Sequence, residues 1–230
     1  MAEFLLRWLH FLAGITWIGL LYYFNFVQGP FMAEADPATK SAATQKLVPR
    51  ALAWFRWSAL ITWLSGAAII GDRIGRTPEG TSAWSSPWAV TILTGALLGT
   101  VMLINVWGVI WRNQKIVIAS AKAAASGGQA NAAAPAAARR AFLASRTNVV
   151  FSIPMLFYMG AATHSPLNVA GSVSAYWLSL VALIALLEIN ALTATTGATT
   201  KPIEKIPGVI VTGFVVWAVA YGLARAFLSA

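Results

Sequence analysis

Six stretches of this chain, residues 4–27, 51–70, 88–111, 147–164, 173–195 and 207–227, meet or approach the length of apolar sequence that a helix needs to cross a bilayer, roughly 20 residues. No other feature narrows the fold as far. Inside lipid every backbone N–H and C=O must find its partner within the segment or a closed barrel, and runs of this length do so as α-helices. The predicted fold class is therefore all-α: one polytopic transmembrane bundle of about six helices, occupying residues 1–230 as a single domain. The composition agrees, because only 10% of the residues are charged, against about 25% in a soluble domain. The lipid bilayer is the first partner the sequence requires.

The charged residues orient the bundle. Threading six spans places Arg7, Arg73, Arg76 and Arg225 on one side. The other side receives Lys40, Lys46, Arg50 and Arg56 around the first loop, six cations between Arg112 and Arg146, and Lys201 with Lys205. Short loops follow the positive-inside bias, so the second side is expected to be cytoplasmic and both termini periplasmic, in a bacterial inner membrane. The formal charge of +9 is thus explained by topology and does not call for nucleic acid. The first run carries Arg7 and His10 and lacks a small-residue cleavage site after Val27, which reads as a retained span and not a signal peptide. Residues 112–146 form an Ala-rich cytoplasmic loop, expected as two short helices extending the third and fourth spans, broken at Ser126-Gly127-Gly128. Ser86-Pro87 opens the third span and Pro154 interrupts the fourth. Gly95 and Gly99 have the spacing that lets two membrane helices approach closely.

Polar residues inside spans are costly and are the default candidates for function. They fall into two groups. The outer group holds Arg7, His10, His164 and Arg225, with both of the chain's histidines. An even number of crossings brings the two histidines to the same side. Positions 7, 10, 14, 17 and 21 form one helical stripe, on which Gly14 leaves room for a flat ligand and Trp17 lines it. Two imidazoles from different helices can hold the iron of haem b, with Arg7 or Arg225 on its propionates. The alternative is structural: His10 bonds a backbone carbonyl and His164 is interfacial. Cysteine is absent, which removes thiolate-held metal and covalent c-type haem from consideration.

The inner group holds Arg56, Asn105, Arg146, Asn148, Glu188 and Asn190. A carboxylate at Glu188 needs a partner, and Arg56 and Arg146 lie at similar depth. Arg56, Asn148 and Glu188 form either a bundle-locking salt bridge with amide support or a site for a planar anionic heterocycle, which Arg can fork and Asn can pair edge to edge.

Several separated motifs, read in order, resemble a known family. They are LLRWLHFLAGITWIG (5–19), WFRWSALITWLSG (54–66), GTVMLINVWGVIWRNQK (99–115) and SRTNVVFSIPMLFYMGAATHSPL (145–167). Together these are similar to the membrane domain of the PuuD-type urate hydroxylase family. The resemblance implies oxidation of urate to 5-hydroxyisourate, a histidine of the first span at His10, a second at His164, a basic site residue at Arg56 and a polar one at Asn148. In that family a periplasmic cytochrome c domain follows the membrane domain, and this chain has no CxxCH motif to supply one. The expected function is a haem-b membrane oxidoreductase acting on urate or a similar small heterocycle, with Arg56, Asn148 and Glu188 as catalytic residues and electrons passing to a cytochrome c. The alternative is a non-catalytic transmembrane subunit of a larger respiratory or photosynthetic membrane complex. A homo-oligomer is compatible with either.

Overall fold

The helix at the centre of the bundle is the one whose composition advertises a membrane span least. Residues 1–76, 83–193 and 196–229 are described by a computed structural model, and α7, Ala134–His164, runs through its middle for 31 residues. Its buried face carries Arg146, Thr147, Asn148 and Ser152 alongside Val149, Phe151 and Tyr158. Around it stand α1 (Ala2–Tyr22), α4 (Val48–Gly75), α5 (Pro87–Ile104), α8 (Val173–Thr193) and α10 (Ile206–Leu228). Short α2 (Gly29–Glu34) and α3 (Pro37–Ala42) connect α1 to α4, α6 (Trp111–Ala125) prolongs α5, and α9 (Lys201–Glu204) precedes α10. Helix α7 packs against α5, α6, α8 and α10, whereas α1 packs chiefly on α4.

Among the described residues, four continuous helical stretches are long and apolar enough to cross a membrane: Ala2–Glu34, Pro87–Ala125, Val173–Thr193 and Ile206–Leu228. With α4 and α7, six long helices run the length of the bundle, at the positions of the six apolar runs. The predicted fifth run ends at Thr195, which lies outside the described residues.

Local chemistry accounts for the ends and the turns. Ser86 caps α5 by accepting the Ala89 N–H at 3.2 Å, with Pro87 in the first helical position. Asp36 caps α3 through the amides of Ala38 and Thr39 at 2.9 and 3.1 Å. The α6–α7 hairpin turns through Gly127 at φ +82°, and Gly128 N–H closes on the Ala123 carbonyl at 2.9 Å, as the Ser-Gly-Gly signal predicts. Pro154 sits inside α7 without ending it. It has no N–H to offer the Val150 carbonyl, and α10 approaches that carbonyl through Gly213, where a Cβ would stand 3.3 Å away. Gly95 makes the close α5–α7 contact: a Cβ there would lie 3.2 Å from the Met155 carbonyl oxygen.

Three π-helical turns, Tyr23–Gln28, Ala43–Leu47 and Asn105–Ile110, interrupt the long helices toward one end of the bundle. Side-chain amides cover nearby carbonyls: Asn25 donates to Leu21 O and Asn113 to Val109 O, both at 2.8 Å. The cation-rich connections lie at this same end. At the opposite end Glu3 meets Arg76 at 3.7 Å, the Leu167 amide donates to Thr91 Oγ1 at 2.8 Å, and the amides of Ala170 and Gly171 donate to the Leu228 carbonyl. The start of α1 and the end of α7 lie at this same end of the bundle.

Candidate functional site

Toward the basic end, three of the predicted inner residues form one network. Asn105, at the opening of the π-turn that follows α5, donates its side-chain amide to Asn148 Oδ1 at 2.9 Å and to Glu188 Oε2 at 3.1 Å. Asn148 in turn donates to the Met102 carbonyl at 3.0 Å. Helices α5, α7 and α8 are thereby pinned at one level. Asn105 and Asn148 are buried, while Glu188 is half-buried and keeps Oε1 free of protein bonds among the described residues. A carboxylate with one oxygen fixed and the other available can accept a proton.

The expectation that Glu188 pairs with Arg56 or Arg146 is corrected by these contacts: among the described residues its partner is an amide, and no ion pair joins it to either cation. Arg56 stands on α4 against a different face of the α5–α6 helix. Its guanidinium carbon lies 4.0 Å from the centroid of Trp111, 5.3 Å from Trp107 and 5.5 Å from Trp57. The Trp107 indole donates to the Arg56 carbonyl at 3.1 Å. Asn105 and Trp107 are two residues apart, about 200° around a helix, so they look in opposite directions. Arg146 is buried beside Phe142, 5.0 Å from the ring centroid, with Nε and Nη1 unpartnered among the described residues. Asn190 donates to the Thr199 carbonyl at 3.2 Å, away from the network.

The predicted stripe on α1 faces α4. His10 Nδ1 lies 3.2 Å from Ser65 Oγ. The Ser65 hydroxyl also lies within bonding distance of the Ile61 and Thr62 carbonyls, at 2.7 and 3.0 Å; when its proton goes to one of them, the ring donates from Nδ1 and Nε2 keeps its lone pair. Gly66 lets the ring lie flat on α4, since a Cβ there would stand 2.9 Å from His10 Cε1. Gly14 faces Thr62, 3.7 Å from where its Cβ would be. Trp17 is 2% exposed, and its indole N–H has no acceptor among the described residues. Arg7 is engaged by Glu3 at 2.7 Å. His164 and Arg225 share the outer end but are exposed on α7 and α10.

Sequence reasoning did not single out a partly open cavity of about 130 Å³ near the basic end, where the π-turn after α1 meets α4, α6 and α7. Asn25, Gln28, Gln114 and Ser145 supply its polar wall, Phe24, Phe55 and Phe142 its aromatic wall. Gln28 Oε1 is buried there without a partner among the described residues. The signal was present in the sequence, since Asn25 interrupts the first apolar run.

Fold and polar interior define a polytopic helical membrane protein with a buried amide–carboxylate centre. Residues 80–220 match the family model described as urate oxidase N-terminal, more than half of the chain, and the chain belongs to that family. No curated protein and no solved structure matches it.

Proposed function

We propose that this chain is the membrane domain of a urate hydroxylase-type oxidoreductase, oxidising urate or a similar small heterocycle. The observation that carries the reading is the Asn105–Asn148–Glu188 network, which lies wholly within the family-matched segment. Hydroxylation of urate by water releases two protons and two electrons for each 5-hydroxyisourate formed. In this reading Glu188 takes a proton, and the buried Asn148 acts by holding Asn105, which in turn holds the carboxylate. Arg56 lies outside this centre, so the substrate contact is assigned to the half-buried Glu188.

The electrons need a carrier that is not built on cysteine. His10 would be a residue to hold a haem b, since in the tautomer that donates from Nδ1 to Ser65 its Nε2 lone pair is the one left for a metal. The Trp17 N–H, buried on the same stripe without an acceptor among the described residues, is a second group such a cofactor would meet. When bound, the haem supplies one-electron chemistry, with a periplasmic cytochrome c as acceptor. His164, exposed at the same end, is the second proposed ligand. Six crossings of a bacterial inner membrane, with the basic end cytoplasmic, place His10 on the side of that acceptor.

Two substitutions test the reading on purified protein supplied with urate and oxidised cytochrome c. Glu188→Gln should lower kcat by at least about a hundredfold with KM little changed. His10→Ala should remove the Soret band and the pyridine haemochrome signal. Wild-type protein with no haemochrome would end the haem proposal, and undiminished turnover in Glu188→Gln would end the assignment of the proton acceptor.

The second reading, a non-catalytic subunit of a larger membrane complex, is favoured by the outer flank of α1. Phe4, Trp8, Phe11 and Ile15 expose between 57% and 71% of their surface there, a face that either lipid or a partner helix would cover. Co-purification at fixed stoichiometry without urate turnover would support it.

A further inference from the structure

A second polar feature of the interior-facing helices belongs to the surface. Along the outer face of the α5–α6 helix, Ile104, Trp107, Gly108, Trp111, Arg112 and Lys115 line an open groove of about 440 Å³. Gly108 makes the depression between the tryptophans, for nothing nearer than Ile104 Cγ2 at 3.9 Å would meet a side chain there. Arg56 overlooks the groove from α4, its guanidinium carbon over the Trp111 ring at 4.0 Å, with its Nε buried and unpartnered among the described residues. Lys115 Nζ lies 5.8 Å from the same Trp111 ring. Two cations therefore stand over one tryptophan, Arg112 lines the same groove, and no ion pair neutralises any of the three among the described residues.

Depth identifies the occupant. From Pro87 to Trp107 the helix rises roughly 30 Å, one hydrocarbon thickness. Trp107 and Trp111 therefore lie at the interface, with Arg112 and Lys115 at headgroup level. Ile104, 60% exposed, faces the acyl region. A soluble anion would meet the cations but leave the apolar floor of the groove empty. An amphiphile with a negative head fills both.

We propose that this groove binds an anionic phospholipid of the leaflet at the basic end, its phosphate held by Arg56, Arg112 and Lys115 and an acyl chain laid along Gly108 and Ile104. The planar guanidinium of Arg56, oriented by its aromatic neighbours, donates to phosphate oxygens, and the two outer cations close on the head from the water side. The site is independent of the oxidoreductase reading.

The test is thermal unfolding of the full chain in neutral detergent, titrated separately with phosphatidylglycerol, phosphatidylcholine and inorganic phosphate. Phosphatidylglycerol should raise the midpoint saturably, and the other two should not. The double variant Arg112→Gln/Lys115→Gln should need at least about tenfold more phosphatidylglycerol for half the effect. The control Lys122→Gln/Arg140→Gln, which removes the same charge from other exposed positions at the same end, should respond as wild type. An unchanged titration in the first variant would overturn the proposal. So would an equal loss in the control, or a full effect from phosphatidylcholine or from phosphate alone. Should the double variant fail to fold, Arg112→Gln by itself carries the comparison.

Discussion

Helices α1 and α7 are both long, and they belong to the membrane for opposite reasons. The apolar window of Ala2–Glu34 is 17% buried inside the protein, so most of its Phe, Leu, Ile and Trp side chains face outward. Helix α7 buries its polar residues and is not among the four helices that length and hydropathy alone identify as spans. A lipid-facing helix must be apolar because nothing else will solvate it. A helix surrounded by other helices can carry Asn, Ser, Thr and Arg, provided the neighbours satisfy them. The interior of this bundle is thus more polar than its rim, and function should concentrate where hydropathy is weakest.

The sharpest way to break this contrast is to add bulk on each side. Gly95→Leu puts a side chain against the Met155 carbonyl and Met159 on α7, and should destabilise by about 2–3 kcal/mol, as overpacking of a close helix contact does. Gly19→Leu on α1 meets nothing within 4 Å and should leave the thermal midpoint within about a degree. Equal losses would mean that α1 is packed as tightly as α7.

Removing polar groups gives the next largest difference. Asn148→Leu strips the bond from Asn105 and leaves the Met102 carbonyl buried without its side-chain donor, a loss of about 1–3 kcal/mol. Thr16→Val, whose hydroxyl bonds only its own helix at Leu12 O on the exposed side of α1, should be neutral. A neutral Asn148→Leu would show that the network is dispensable to the fold, and would strengthen its assignment to substrate.

Depth and face were not equally legible in the sequence. Counting residues along each run places Asn105, Asn148 and Glu188 at one level, and the structure joins them. The same count places Arg56 with them, because depth says nothing of azimuth. Only the packing reveals that Trp107 turns Arg56 toward a different side of the helix from Asn105. The stripe of His10, Gly14 and Trp17 was readable from 3.6-residue periodicity, and so was the close approach at Gly95. The π-turns were not, since a one-residue shift in hydrogen bonding leaves no mark in hydropathy. Nor was the inward extent of α7: residues 134–146 read as a solvated helix prolonging the fourth span, yet Ala137, Ala141, Leu143 and Arg146 are buried.

At the water-exposed ends the two regions should finally behave alike, and this is the smallest effect. Arg139 near the start of α7 donates to Glu204 of α9 at 2.6 Å, with Thr200 adding a second hydrogen bond to the same carboxylate. The bond from Arg139, then that from Thr200, holds the Glu204 carboxyl below its ordinary value of 4.5. A carboxyl that ionises more readily folded than unfolded stabilises the fold fully above the unfolded value, and loses that contribution as pH falls from about 4.5 through the lower folded value. Thermal midpoints of wild type and Glu204→Gln should therefore differ at pH 7 and converge in acid. The pair is solvent-exposed, so the difference should be on the order of a degree and should vanish in high salt. A gap that persists in acid would mean that Glu204 acts through packing and not through its charge. The strap of α9 would then belong with the buried side of the contrast.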